Sequence, residues 1–246
     1  MGNDKDDDYC ADEVCDLPER KAAAGATSTI TKNEKSFEPG PGKHILLFAD
    51  PMCSWCWGFQ PELKKLISIL NNRAQFYVVM GGLRPYTSES WQGEMQTYVH
   101  HHWQEVQKKT GQPFDYARMN DDHFIYDTEP ACRAVVCARE LNPELGLAVY
   151  HDLQREFYAG GQDITDTDII SEIVANAGVD KEKFLKLFTG PAGRELVEFD
   201  FNRTRAFGVK GFPSIVCADD GQYAFLTLGY RTFDAMQGDV EAWLNS

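Results

Sequence analysis

The sequence predicts an α/β fold built on one small sheet, into which an all-helical segment is inserted. Early in the chain, an apolar run of strand length, a segment with helical spacing and a second strand follow one another, which indicates a β–α–β unit. Near the end, two strand patterns flank a turn signal and precede a helix. About a hundred residues between these parts show helical periodicity and almost no strand pattern. We therefore expect a sheet assembled from two separated stretches of sequence.

The N-terminal segment, residues 1–42, is predicted to be an acidic, flexible tail. Its first twenty residues have eight acidic side chains against two basic ones, and residues 39–42 alternate proline and glycine, which is typical of linkers. The segment contains a pair of cysteines, Cys10 and Cys15. Two interpretations of this pair stay open: it is incidental, or it is an accessory dithiol that exchanges disulfides with Cys53.

Composition excludes several classes of partner. The net charge of −14 over 246 residues argues against nucleic acid, because its phosphates would be repelled, and it disfavours anionic membrane surfaces. No stretch approaches the length of a membrane span. The seven cysteines are not spaced as in a small secreted scaffold, and the acidic start is unlike a signal peptide. We therefore expect a cytoplasmic protein, and the sequence leaves its oligomeric state open.

The first β–α–β unit is predicted over residues 44–80. Its first strand is the apolar run 44–48, and the following helix has apolar residues at helical spacing from Phe59 onward. Pro61 predicts a kink in this helix, since the apolar stripe continues beyond it. The second strand, residues 75–80, ends before two glycines.

A CxxC motif, Cys53-Ser54-Trp55-Cys56, lies where the first strand passes into the helix. Residues three apart on a helix have α-carbons about 5 Å apart, a distance that a disulfide bridges without strain. The first cysteine faces the unpaired N–H groups at the start of the helix, which favour its thiolate. Cys53 is therefore predicted to attack and Cys56 to be the buried resolving thiol. A zinc site would need a second ligand pair at matching spacing, and none is obvious.

Residues 88–190 are predicted to form the helical insertion. The helices are indicated by five groups of apolar residues: Trp91, Met95, Val99, Trp103 and Val106; Ala131, Ala134, Val135, Ala138 and Leu141; Leu145, Val149 and Leu153; Ile169, Ile170, Ile173, Val174 and Ala177; and Phe184, Leu187 and Phe188. Asp166 or Thr167 caps the fourth helix, and Asp180 opens the fifth. The three consecutive histidines from His100 point in three directions on a helix, so we predict no metal site there.

The C-terminal part returns to strand patterns. A helix over residues 194–207 stops at a glycine, and a strand begins at Ser214. Asp219-Asp220-Gly221 is a hairpin turn signal, and residues 223–228 form the second arm. The last helix runs over residues 232–244.

Taken together, these features resemble the thioredoxin superfamily and, within it, the DsbA-like group, whose thioredoxin fold is split by a helical domain. The carrying motifs are Cys53-Ser54-Trp55-Cys56, the kink proline Pro61, and Gly211-Phe212-Pro213-Ser214 before a strand. The resemblance covers about residues 43–246. It implies a thioredoxin-fold domain made of residues 43–87 and 191–246, with the helical domain between.

One branch of that group is closer still. The stretch Asp50-Pro51-Met52-Cys53-Ser54-Trp55-Cys56-Trp57-Gly58-Phe59 resembles the FrnE-like branch, as do Gly81-Gly82-Leu83 and Glu129-Pro130-Ala131-Cys132-Arg133-Ala134. Members of that branch are described as predicted thiol–disulfide oxidoreductases or isomerases. The N-terminal tail lies outside the resemblance.

The resemblance also implies a substrate site. Pro213 corresponds to the cis-proline that faces the dithiol in this superfamily, so a substrate's extended chain could pair with the backbone of Phe212 beside Cys53. Trp55, between the two cysteines, is expected to lie near the surface and to shape an apolar substrate groove.

A departure from the superfamily concerns the buried acid. Thioredoxins carry an acid six residues before the first cysteine, and Leu47 occupies that position here. Asp50 is the nearest acid and is predicted either to accept a proton from Cys56 or to cap a turn. The direction of electron flow stays open, because the dithiol pKa and the intervening dipeptide together set the reduction potential.

The predicted function is thiol–disulfide exchange with protein or small disulfide substrates, without a bound cofactor and with glutathione or another thiol as redox partner. Two alternatives stay open. One is a glutathione-dependent isomerase or transferase of the kappa type, although members of that class use serine where Cys53 stands. The other is a redox-sensitive, peptide-binding chaperone.

Overall fold

One sheet in the order β2-β1-β3-β4 organises the residues that the structure, a computed structural model, describes, 41–246. The predicted tail cysteines, Cys10 and Cys15, lie outside these residues. The strands are β1 (Lys43–Ala49), β2 (Gln75–Met80), β3 (Ser214–Asp219) and β4 (Gln222–Leu228). β1 pairs with β2 in parallel, whereas β3 is antiparallel to both of its neighbours. The prediction of one sheet built from two separated stretches is therefore confirmed.

The first strand is central because its sequence is apolar on both faces. Residues 45–49 are completely buried, and such a continuous apolar run is typical of a strand covered by other elements on both sides. β4, at the edge of the sheet, instead exposes Tyr223 and Phe225. The carboxyl end of β1 therefore opens into the interior of the molecule, where the cysteine motif follows.

The helix after β1 is divided in two at Phe59, giving α1 (Ser54–Gly58) and α2 (Gln60–Leu70). Pro61 is the second residue of α2 and has no N–H to bond to the preceding turn. Phe59 keeps helical backbone angles, and its carbonyl accepts from the Leu63 N–H at 2.9 Å. The single helix with a kink at Pro61 that the sequence predicts is thus two consecutive helices, interrupted at Phe59, two residues before Pro61.

The helical segment begins later than the apolar spacing indicates. Trp91 was predicted on the first insertion helix but precedes it, because Gly93 adopts a positive φ of 59° and breaks the pattern. Helices and a short 3-10 helix follow in this order: α3 (Glu94–Thr110), the 3-10 helix (Tyr116–Asn120), α4 (Glu129–Leu141), α5 (Gly146–Tyr158), α6 (Thr167–Asn176), α7 (Lys181–Thr189), α8 (Pro191–Ala206) and α9 (Phe233–Asn245).

Helix α4 lies at the centre of the helical part, and residues 131–139 are all buried. Two arginines on this helix are neutralised inside the protein. Arg133 pairs with Glu129 at 2.8 Å, and the Arg139 guanidinium binds both carboxylate oxygens of Asp200 on α8, at 2.8 and 3.0 Å. Asp200 also accepts the N–H of Met80 at 2.8 Å. The second pair therefore ties the helical segment to the end of β2.

We propose that the described chain divides as the sequence suggests, into residues 43–87 with 191–246 and a helical part over 88–190. All four strands of the described residues lie in the first set. The buried Arg139–Asp200 pair joins the two parts. Among the described residues, no helix is both long and apolar enough to span a bilayer.

Candidate active site

The two cysteines of the CxxC motif lie just beyond the buried end of β1. Cys53 is the residue before α1, with extended backbone angles, and its carbonyl accepts the N–H groups of Cys56 and Trp57 at 3.0 and 3.1 Å. Both thiols are free. The side chain of Cys53 is 6% exposed and that of Cys56 only 1%, so Cys53 is the thiol nearer to solvent.

The loop before β3 faces Cys53. The Phe212–Pro213 peptide bond is cis, and the Cys53 Sγ lies 3.6 Å from the carbonyl oxygen of Phe212. The ring of Phe212 packs against Gly81, where a Cβ would come within 2.0 Å of a ring carbon. A glycine at the end of β2 therefore allows this ring, and with it the Phe212 carbonyl, to approach the dithiol.

Cys56 is held as a neutral thiol behind Cys53. Burial raises its pKa well above the usual range for cysteine, and the hydrogen bond and charge of Cys53 raise that pKa further. The charge of Asp50 acts in the same direction, whereas the backbone N–H of Asp50 lowers the pKa. The reduced pair therefore has one outer sulfur and one deeply buried, protonated sulfur.

Asp50 lies completely buried beneath the motif. One carboxylate oxygen accepts the Met52 N–H at 2.8 Å, and the other accepts the Leu83 N–H at 2.7 Å and faces the Cys132 thiol at 3.3 Å. A hydrogen bond from Thr128 adds to these. Burial raises the pKa of Asp50, and the hydrogen bonds oppose that rise. The Asp50 carboxylate thus stabilises the turn before Cys53 and is an acidic group close to the dithiol.

Three buried tyrosines lie close enough to the dithiol that charge on Cys53 and Cys56 acts on their hydroxyls. Tyr150 and Tyr158 come from α5 and are completely buried, and Tyr126 precedes α4 and donates its hydroxyl to the Met52 carbonyl. Burial raises the pKa of each hydroxyl well above its usual range. The sequence does not predict these residues at the site, because tyrosines at helical spacing are equally typical of an ordinary core.

The outer rim of the dithiol is aromatic and partly exposed. Trp55 is half-buried and its ring packs on Tyr230 with centroids 5.6 Å apart. Tyr230 in turn meets Phe59 edge-on at 6.2 Å. On the side of the β2 loop, Leu83 is 45% exposed. Apolar side chains on α1 and on the loop after β2, whose Leu83 N–H bonds Asp50, are therefore partly exposed.

Two other cysteines and the surface histidines do not belong to this centre. Cys137 and Cys217 are buried in the core, and burial raises the pKa of each to about 12. His101 and His123 are on exposed surface. Within the described residues, no three or more His, Cys, Asp or Glu side chains are grouped so as to hold a metal ion.

Comparison with known families places the whole folded part in one group. A family model described as a DSBA-like thioredoxin domain matches residues 44–241. A candidate protein disulfide isomerase from Nitrosomonas europaea has 31% identity and a TM-score of 0.78, over 83% of this chain and 98% of its own. The cytosolic disulfide reductase DsbM from Pseudomonas aeruginosa has 25% identity and a TM-score of 0.69, over 82% of this chain and 98% of its own.

Curated relatives carry a different name. The ClpXP adapter protein SpxH from Halalkalibacterium halodurans is 24% identical over 231 residues, which is 89% of this chain and 70% of that protein. The proteins of that name from Shouchella clausii and Bacillus subtilis are 23% and 26% identical, and the chain spans only 63% and 56% of their lengths.

Proposed function

The chain belongs to the DSBA-like thioredoxin domain family and is a protein-disulfide oxidoreductase, and on that premise we propose that it exchanges disulfides through Cys53 and Cys56. The observation that carries this proposal is the different burial of the two free thiols: Cys53 is the more exposed and lies beside the Phe212 carbonyl, and Cys56 is almost completely buried. The assignment to the FrnE-like branch is also a proposal, supported by the stretch around the motif.

The first step is attack by the Cys53 thiolate on one sulfur of a substrate disulfide. A bond forms between Cys53 and that sulfur, the substrate's own S–S bond breaks, and the second substrate sulfur leaves as a thiolate that takes up a proton. The backbone at Phe212 and the apolar side chains of Trp55 and Leu83 are the proposed contacts for the substrate chain.

The second step closes the ring. Cys56 loses its proton and attacks the Cys53 sulfur, the bond between Cys53 and the substrate breaks, and the second substrate thiolate leaves. Two electrons have then passed from the dithiol to the substrate, which is fully reduced. Asp50 is the proposed proton acceptor for Cys56, since it is a buried acid whose pKa is raised and whose charge acts on that thiol. The reverse sequence of steps donates a disulfide.

We propose that the substrates are protein disulfides and that glutathione or another thiol regenerates the dithiol in the cytoplasm. DsbM is described as a cytosolic disulfide reductase and was also crystallised with GSH, in a structure that aligns with a TM-score of 0.67. Equilibration of Cys53 and Cys56 in glutathione buffers tests the direction. A strongly reducing potential indicates a reductase, and a potential at the oxidising extreme indicates a disulfide donor.

Insulin reduction tests the assignment of the two thiols. Cys53→Ser should abolish turnover, and Cys56→Ser should accumulate a mixed disulfide that mass spectrometry detects. Cys217→Ser is the matched control, because Cys217 is also buried but belongs to β3, and it should keep activity. Full turnover by Cys53→Ser would falsify the proposal.

The same variants separate the other candidate functions. Glutathione transfer that survives Cys53→Ser supports the kappa-type alternative. Suppression of aggregation that survives replacement of both Cys53 and Cys56 by alanine supports a binding module. The relatives named as ClpXP adapters favour the binding-module alternative, in which the chain binds another protein. The exposed Leu83 and Tyr86 offer apolar surface for such a partner.

A further inference from the structure

The resolving thiol has a buried tyrosine on its side of the helical part of the chain. Tyr150 is completely buried on α5, which packs on α1, and Gln60, one turn after Cys56, bonds Gln154, one turn after Tyr150. The two helices therefore place the Tyr150 hydroxyl on the side of Cys56, and this thiol contributes to the raised pKa of that hydroxyl. A buried tyrosine hydroxyl needs hydrogen-bond partners.

Gln154 determines which way this hydroxyl donates. It lies one turn beyond Tyr150, is also completely buried, and donates from Nε2 to the Tyr150 hydroxyl oxygen at 3.1 Å. Its other amide atom, Oε1, accepts from the Nε2 of Gln60. Because the Tyr150 oxygen accepts from Gln154, its own hydrogen is available for the sulfur of Cys56.

We propose that Tyr150 is a further catalytic residue: held by Gln154, its hydroxyl donates a hydrogen bond to the Cys56 sulfur and stabilises the thiolate that resolves the mixed disulfide. The inference rests on the proposed function of the dithiol. In the step itself Cys56 gives up its proton, forms a bond to Cys53 and releases the substrate sulfur as a thiolate that is then protonated. Tyr150 keeps its own proton throughout.

The surroundings of Cys56 explain why such a donor matters. Burial, Cys53 and the charge of Asp50 all disfavour the Cys56 thiolate. Tyr126 and Tyr158 are buried close enough that charge on the cysteines raises the pKa of both hydroxyls. The pKa of Tyr150 is likewise raised well above its usual range, first by burial and then by Cys56, so this hydroxyl stays a donor at neutral pH.

Stopped-flow mixing with one equivalent of dithiobis(nitrobenzoate) separates the two steps. Attack by Cys53 releases the first coloured thiolate, and resolution by Cys56 releases the second; Cys56→Ser identifies the first phase because it cannot give the second. Tyr150→Phe should leave the first phase unchanged and slow the second about three- to tenfold near neutral pH. That is the effect of one lost hydrogen bond to a charged sulfur, partly offset by the greater nucleophilicity of a more basic thiolate.

The pH profile and a control variant complete the test. The rate of the second phase in Tyr150→Phe should follow the wild-type curve displaced to higher pH by about one unit. Tyr116→Phe is the control, since it also removes a hydroxyl that hydrogen-bonds within the helical part, to Gln107 at 2.9 Å, but lies outside the active site, and it should retain the wild-type profile. Gln154→Leu should give a smaller slowing of the same phase, and it provides the test if Tyr150→Phe does not fold.

Three results are decisive. An unchanged second phase in both Tyr150→Phe and Gln154→Leu overturns the inference, as does equal slowing in Tyr116→Phe, which indicates a general loss of packing in the helical part. If the wild-type protein shows no second phase at all, the proposed role of Cys53 and Cys56 is wrong. This result differs from those that refute only the role of Tyr150.

Discussion

Replacing Arg139 by methionine should remove a large part of the protein's stability. The Arg139 guanidinium is 8% exposed and makes two hydrogen bonds to Asp200, which is 2% exposed. Methionine keeps an apolar stem of similar length but leaves the carboxylate of Asp200 buried without its counter-charge. The N–H of Met80, at 2.8 Å, would still donate to that carboxylate.

The magnitude follows from the burial of this pair. Breaking a buried ion pair by removing one partner costs about 3–5 kcal/mol, because the other charge stays desolvated. Total stabilities of natural domains are about 5–15 kcal/mol, so the loss is a substantial fraction. At about 2–4 °C per kcal/mol for a protein of this size, the midpoint of thermal unfolding should fall by about 6–20 °C.

Urea unfolding followed by circular dichroism measures this change. Arg155→Met is the matched control, because the Arg155 side chain is 51% exposed, and its salt bridges should contribute less than about 1 kcal/mol. The double variant Arg139→Met, Asp200→Leu should recover part of the lost stability, since it removes the stranded charge as well.

The reasoning is refuted if Arg139→Met costs no more free energy of unfolding than Arg155→Met. A double variant with Asp200→Leu that is as unstable as the sum of its single variants would show a different cause. The loss would then come from packing at two independent positions, and the buried charge would not explain it.

Three further predictions concern the site and a helix end. The pKa of Asp50 is raised in the folded protein, so folding disfavours its charged form. The stability of the wild-type protein relative to Asp50→Asn should therefore fall as pH rises above about 4 and become constant above the folded pKa. Urea unfolding at a series of pH values measures this, and the opposite slope would contradict it. Gly81→Ala should displace the Phe212 ring, cost about 1–3 kcal/mol of unfolding free energy and slow reaction with insulin, whereas Gly211→Ala, whose Cβ would meet nothing within 4 Å, should do neither. Asp166→Ala removes the side chain that accepts two N–H groups at the start of α6 and should cost about 1 kcal/mol in the same unfolding assay; an unchanged midpoint would show that this cap is not needed.

Elements defined by local sequence could be predicted closely. The second strand has the predicted bounds, 75–80, because glycines end it and its residues favour a strand. Asp166 and Asp180 cap the helices that they were predicted to begin. The α/β fold with a helical insertion, and the DsbA-like relationship, are confirmed by the comparisons. These features depend on residues a few positions apart, where spacing and capping chemistry are sufficient.

Contacts between distant parts of the chain could not be predicted. The Asp50–Cys132 contact joins residues 82 positions apart, and the Gln60–Gln154 bond that fastens α5 beside the dithiol joins residues 94 positions apart. The spacing of each tyrosine fits a plain core helix, and nothing local distinguishes the one whose hydroxyl faces a sulfur. The start of α3 was misplaced for a different reason: Gly93 interrupts an apolar stripe that otherwise continues through Trp91.

The depth of the second sulfur imposes an order of events on the site. With Cys56 only 1% exposed, a dissolved oxidant or a bulky disulfide meets Cys53 first and reaches the inner atom through it. If Cys53 is oxidised to a sulfenic acid, the Cys56 thiol can condense with it to form a disulfide, which thiols can reduce, before Cys53 is oxidised further. Burial of Cys56 behind Cys53 therefore protects Cys53 from irreversible oxidation to sulfinic or sulfonic acid.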